Sequence, residues 1–115
     1  MTSEEILFQK FENSSQEAVR LNLAISGYFQ ENTHDVIREK YEAYLRRRIR
    51  PTLEALIAAD DLTNLQKLEN SGWLSAALIE TGLETAIRLK KTELFVWFLN
   101  LKAEKYGFSG RNFSL

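Results

Sequence analysis

Apolar residues recur at intervals of three and four from Ile6 to Leu101 and almost never alternate. That is the period of an α-helix, about 3.6 residues per turn, and not the two-residue period of a strand. Punctuation is sparse, with one proline (Pro51) and five glycines in 115 residues. A chain so patterned is expected to be all-α. Its length suits one domain that can bury most of its surface without a disulfide or a metal.

The helices can be placed in order. Ser3 is positioned to cap a first helix, with Glu4 and Glu5 at the positive end of its dipole and Ile6, Leu7, Phe8 and Phe11 as its apolar residues. Ser14 and Glu17 have capping-box spacing for a second helix carrying Ala18, Leu21, Ile25, Tyr28 and Phe29. Asn32 and Thr33 offer a cap for a third, whose stripe of Ile37, Tyr41, Tyr44, Leu45 and Ile49 is broken only by Arg48. An arginine stem can lie over apolar surface with its head in water. Pro51 suits the first position of a fourth helix, which is expected to start there with Leu53, Leu56 and Ile57 inward; a kink in one continuous helix is the alternative. Asp60 and Asp61 are capping residues for a leucine helix that Gly72 stops. Ser75 to Leu89 carries an inward stripe of Leu78, Ile79, Leu83, Ala86 and Ile87 and reads as one helix in which Gly82, on that stripe, lets a neighbour approach closely, or as two helices with Thr81 capping the second. Thr92 caps the last helix, and Gly107 ends it.

Composition excludes several classes. The chain has no cysteine, which removes disulfide frameworks, thiolate zinc sites and cysteine nucleophiles together. Lys and Arg total 15 against 16 Asp and Glu, and a net charge of −1 argues against a dedicated nucleic-acid or anionic-membrane binder. The acidic N-terminus lacks the basic and apolar regions of a signal peptide. No apolar run approaches the ~20 residues of a membrane span. The expected location is cytoplasmic, in keeping with the missing cysteines.

A shift of 30 residues aligns Leu53-Glu54 with Leu83-Glu84, Ile57 with Ile87, Leu65 with Phe95 and Leu68 with Phe98. Periods in this range belong to helical solenoids, whose hairpins bury their faces against one another. Thr81-Gly82-Leu83-Glu84-Thr85-Ala86 resembles the ankyrin T-P-L-H-x-A opening at its threonine, leucine and alanine, and Leu68 to Gly72 is similar to the ankyrin second-helix ending. A closer resemblance is to the ankyrin-like helical module at the C-terminal ends of larger bacterial proteins. It rests on Ala18, Leu21 and Leu23; Tyr41, Tyr44 and Leu45; Pro51, Leu53, Leu56 and Ile57; Asp60-Asp61; Leu65, Leu68 and Gly72; and Glu93-Leu94 to Leu101-Lys102. The resemblance implies stacked antiparallel helical hairpins, about six to seven helices in all, in a single helical-repeat domain over 1–115. N-terminal helices would occupy 1–50, two ankyrin-like hairpins 51–106, and a loosely held tail 107–115. It also implies a non-enzymatic scaffold or protein-binding surface.

Residues that could carry chemistry also have plainer roles. His34 is the only histidine, in a helix-start sequence, and reads as a solvated first-turn residue. Asp60-Asp61 reads as a cap and not as a catalytic pair, so no catalytic, metal or cofactor site is expected. Trp73, Phe95, Phe98 and Tyr106 read as core aromatics. Trp97 falls at the edge of the apolar stripe of its helix, where a tryptophan suggests a contact surface. Arg46, Arg47 and Arg50 project to one side if the helix is continuous, and could dock an acidic stretch of a protein partner. Binding of nucleic acid or another anionic ligand through Arg46–Arg50 is the alternative. The partner's identity and the oligomeric state are not written in the sequence.

Overall fold

The computed structural model describes residues 1–106. They form seven α-helices and no strand: α1 (Ser3–Asn13), α2 (Glu17–Phe29), α3 (Asp35–Arg47), α4 (Ile49–Ala58), α5 (Leu62–Asn70), α6 (Ala76–Arg88) and α7 (Thr92–Tyr106). The expected all-α class and helix number are met. The expected tail and the Gly107 stop lie outside the described residues. The described chain separates into two compact units, with the boundary after Thr52, inside α4.

In the first unit α1 packs on α2 and α2 on α3. The N-cap of α1 is Thr2, not Ser3: its hydroxyl accepts from the Glu5 N–H and the Glu5 carboxylate accepts from the Thr2 N–H, closing a capping box. The box expected from Ser14 and Glu17 does not form. Gln16 is the N-cap of α2 without a side-chain bond, because the Glu17 carboxylate is drawn away by Tyr44 and Arg48. Likewise His34, and neither Asn32 nor Thr33, occupies the N-cap of α3. Thr33 is buried and donates its hydroxyl to the Gly27 carbonyl at 2.7 Å.

The core of this unit is aromatic. Phe11 meets Tyr41 and Tyr44 edge-on, with ring centroids 5.1 and 5.0 Å apart, and Phe8 meets Tyr41 at 5.5 Å. Such edge-to-face pairs add about 0.5–1.5 kcal/mol beyond area burial. The Arg20 guanidinium lies 5.1 Å from the Phe11 centroid and 5.0 Å from that of Tyr44. Gly27 makes room for the buried Tyr41 ring, since a Cβ there would stand 2.2 Å from a ring carbon.

Arg48 separates α3 from α4. With φ −121° and ψ 40° it leaves the helix, and α4 begins at Ile49. Neither a start at Pro51 nor one kinked helix describes this junction. Pro51 is instead the third residue of α4, where its missing N–H has no intrahelical partner to lose.

The second unit carries the 30-residue register in its backbone. Among the described residues Asp60 and Lys90 are the two non-glycine residues with positive φ, at 54° and 59°. Each closes the helix before it in the same way: Asp61 N–H reaches the Leu56 carbonyl at 2.9 Å, and Lys91 N–H reaches that of Ala86 at 2.8 Å. These are Schellman endings. Gly72, at φ 80°, closes α5 likewise. α4 and α6 therefore end, and α5 and α7 begin, 30 residues apart. Of the acidic pair, Asp61 caps α5 by accepting from the Asn64 N–H, whereas Asp60 closes α4 and does not cap α5. Residues 75–89 contain one helix, α6, capped by Ser75. Thr81 is inside it and donates to the Ala77 carbonyl, so the Thr81–Ala86 segment lies mid-helix and does not open one. Gly82 is packed by Phe98 of α7, and a Cβ at this position would stand only 2.4 Å from the ring.

Of the six register partners, Leu53, Leu83, Leu65, Leu68 and Phe98 are buried and Phe95 is half-buried. Trp73 is buried too. Ion pairs join the two hairpins at their rim: Glu54 of α4 with Arg88 of α6, Asp60 with Lys91 at 2.8 Å, and Glu69 of α5 with Lys105 of α7. Hairpin α4–α5 is thus covered by hairpin α6–α7.

Candidate functional site

The arginines expected to share one helical face do not lie on one helix. Arg46 and Arg47 close α3, and Arg50 lies in the first turn of α4, beyond the break at Arg48. The argument from three- and four-residue spacing therefore fails across this junction. Arg46 donates to Glu42 at 2.9 Å. Arg46 and Arg47 complement the negative end of the α3 dipole. Arg47 and Arg50 are exposed. Arg48 is engaged twice: its guanidinium stacks 4.1 Å over the Tyr44 ring and pairs with Glu17. Its head therefore rests on a partner and not in open water. The Tyr44 hydroxyl and, secondarily, Arg48 hold the Glu17 carboxyl below the usual carboxylate range.

His34 is exposed, as expected, but is not without a partner. Its backbone N–H and ring Nδ1 both meet the Glu4 carboxylate. The backbone N–H is the larger cause of a lowered Glu4 pKa. Among the described residues no three His, Cys, Asp or Glu side chains converge as a metal cluster, and no helix is long and apolar enough to cross a membrane.

Trp97 belongs to the second unit. It is half-exposed, rests edge-on against Phe98 at 4.9 Å, and lines a cleft of about 350 Å³ with Gln66, Glu69 and Asn70 of α5 and Leu101 and Glu104 of α7. Its position at the edge of the stripe agrees with the periodicity. Lys105 occupies one oxygen of Glu69, and the other is buried without a hydrogen-bond partner among the described residues.

The feature missed by reading motifs alone is at the outer face of α6–α7. Ile57 and Ile87 are register partners, yet Ile57 is 0% exposed and Ile87 is 62% exposed. Their neighbours follow the same rule. Glu54 and Asp60 are met by Arg88 and Lys91 of the covering hairpin, whereas the equivalents Glu84 and Lys90 are exposed and form no ion pair among the described residues. Leu65 is buried, and Phe95 is only partly so. Ile87, Phe95 and Lys90 line an open groove of about 310 Å³ with Ala86, Lys91 and Thr92. The outer face of the second hairpin thus repeats the pattern of the first, with no layer on it among the described residues. The expectation that Ile87 belongs to the inward stripe of α6 is corrected accordingly. The signal was in the 30-residue alignment, which pairs Ile87 with the buried Ile57.

Comparison with protein-family models, with curated proteins and with solved structures returned no match.

Proposed function

We propose that the chain is a non-enzymatic protein-interaction module of helical-repeat, ankyrin-like type, which works in the cytoplasm and receives a protein partner on the outer face of α6–α7. The observation that carries this reading is the contrast between Ile57, fully covered, and Ile87, 62% exposed at the equivalent position. An exposed apolar cluster rimmed by charge is the usual character of a contact surface. The rim here is Glu84 and Lys90. Arg47 and Arg50 are exposed on the first unit, and each guanidinium suits a carboxylate of a partner. Trp97 offers a further anchor in its cleft.

The test is capture of partners from a native lysate with the wild-type chain, with Ile87→Asp, and with the arginines Arg46, Arg47 and Arg50 all changed to glutamine. Loss of a specific partner with Ile87→Asp, at unchanged helical circular dichroism, supports the outer face. Loss confined to the arginine variant, with a flattened salt dependence, moves the site to the first unit. An identical captured set for all three chains defeats both placements.

A further inference from the structure

The charges flanking Ile87 narrow the chemistry of whatever covers it. In the first hairpin the row Glu54–Ile57–Asp60 carries two acids, and the layer above answers with two bases, Arg88 and Lys91. In the second hairpin the equivalent row is Glu84–Ile87–Lys90, an acid and a base on either side of the apolar residue. A further layer built like α6–α7 would set a base against Lys90, a like-charge contact. A covering layer must instead bring a base to Glu84 and an acid to Lys90.

One surface already described does this: the same row on a second molecule. Glu84 stands on α6 three residues before Ile87, and Lys90 stands three residues after it, in the left-handed turn that closes α6. A two-fold axis through Ile87 runs the two rows antiparallel, sets Ile87 on Ile87, and sets each Glu84 against the other molecule's Lys90. Such an interface is isologous, each contact occurring twice. Phe95 flanks the row on α7 and extends the apolar area. Resting on the reading of this face as the contact surface, we infer that its occupant is a second copy of this chain, packed α6 on α6 about a dyad at Ile87.

Sedimentation equilibrium of the full chain, from micromolar to millimolar concentration, reads the association directly. The wild type is expected to move from 13.3 kDa toward twice that mass. Ile87→Asp is expected to remain monomeric; because Ile87 is exposed, its circular dichroism should match the wild type. Glu84→Lys and Lys90→Glu each set like charges against one another twice, and each should raise the dimer Kd by roughly tenfold. Combining the two reversals restores the complement and should return the Kd to near its wild-type value, an outcome particular to the two-fold arrangement. The chain has no cysteine, so Ile87→Cys should also give a disulfide-linked dimer under oxidation, faster than Val36→Cys on the first unit. A wild type that stays monomeric throughout, a dimer that Ile87→Asp leaves intact, or a double reversal no better than the singles overturns the inference. If the chain is monomeric while Ile87→Asp still abolishes partner capture, the second copy is wrong and the contact surface stands.

Discussion

Each unit contains a helical glycine filled by an aromatic ring from the next helix. In the first unit Gly27 of α2 takes Tyr41 of α3; in the second Gly82 of α6 takes Phe98 of α7. Both rings are buried, and both would lie within 2.4 Å of a Cβ added at the glycine. The difference is one oxygen. The Tyr41 hydroxyl is buried without a hydrogen-bond partner among the described residues, and burial pushes its pKa up to about 12. The second unit makes the same close contact with no polar atom. What the glycines accommodate is therefore the ring, and the hydroxyl in the first unit is an unreturned cost of desolvation.

The comparison can be broken hardest by emptying the sockets. Phe98→Ala should lose about 3–5 kcal/mol, the range for deleting a buried aromatic ring, in urea denaturation followed by circular dichroism. A loss under about 1 kcal/mol would mean the ring is not a central packing element of its unit. Filling the sockets comes next. Gly27→Ala and Gly82→Ala each gain about 1 kcal/mol in helix propensity, but overpacking should outweigh it and leave each variant less stable by about 1–3 kcal/mol. Stabilisation of either one would show that its ring can move aside.

Tyr41→Phe tests the difference itself and should be neutral or stabilising by up to about 1 kcal/mol, since it removes an orphaned hydroxyl and keeps the ring. Its pH dependence has a definite sign. The folded chain holds the Tyr41 proton to about pH 12, whereas an unfolded tyrosine releases it near 10. The resulting stabilisation is complete below pH 10 and is lost as pH rises toward 12. Denaturation midpoints between pH 9 and about 12 should fall less steeply for Tyr41→Phe than for the wild type. A steeper fall for the variant would reverse the assignment. The smallest effect is expected at His34→Ala, within about half a kcal/mol for an exposed position. The N–H that chiefly lowers the Glu4 pKa belongs to the backbone and survives the substitution, so the carboxyl resonance of Glu4 should still titrate low in NMR. Its return to the ordinary value would move the cause to the imidazole.

The helices, the Gly72 stop, the Asp61 cap, the burial of Gly82 against a neighbour and the 30-residue register were all legible, because each is local or periodic. What escaped was competition. Ser3 and Thr2 are adjacent and equally able to cap, and the choice fell to Thr2, which has Glu5 three residues on. Glu17 satisfies the capping-box pattern, but Tyr44 and Arg48 approach it from positions 27 and 31 residues away. The Glu4–His34 contact spans 30 residues and has no periodic signature. At Arg48 the stripe of apolar residues continues while the backbone leaves the helix, so periodicity alone carried the helix too far. The arginine face inferred from that continuity was lost with it. Trp97, by contrast, was placed by its angle on a single unbroken helix.

The left-handed residues Asp60 and Lys90 have a consequence for how such a chain can lengthen. Both junctions share one backbone conformation and one set of closing hydrogen bonds. The stretch 61–90 therefore begins and ends at equivalent points of the chain path. A tandem duplication of that stretch rejoins like to like, adding an α5-type and an α6-type helix without remodelling either splice. In a helical solenoid each layer meets only its neighbours, so an added pair of that kind would need to match just the surfaces on either side of it. In genetic terms the fold has an in-frame unit of growth, and the left-handed turn marks its cut site.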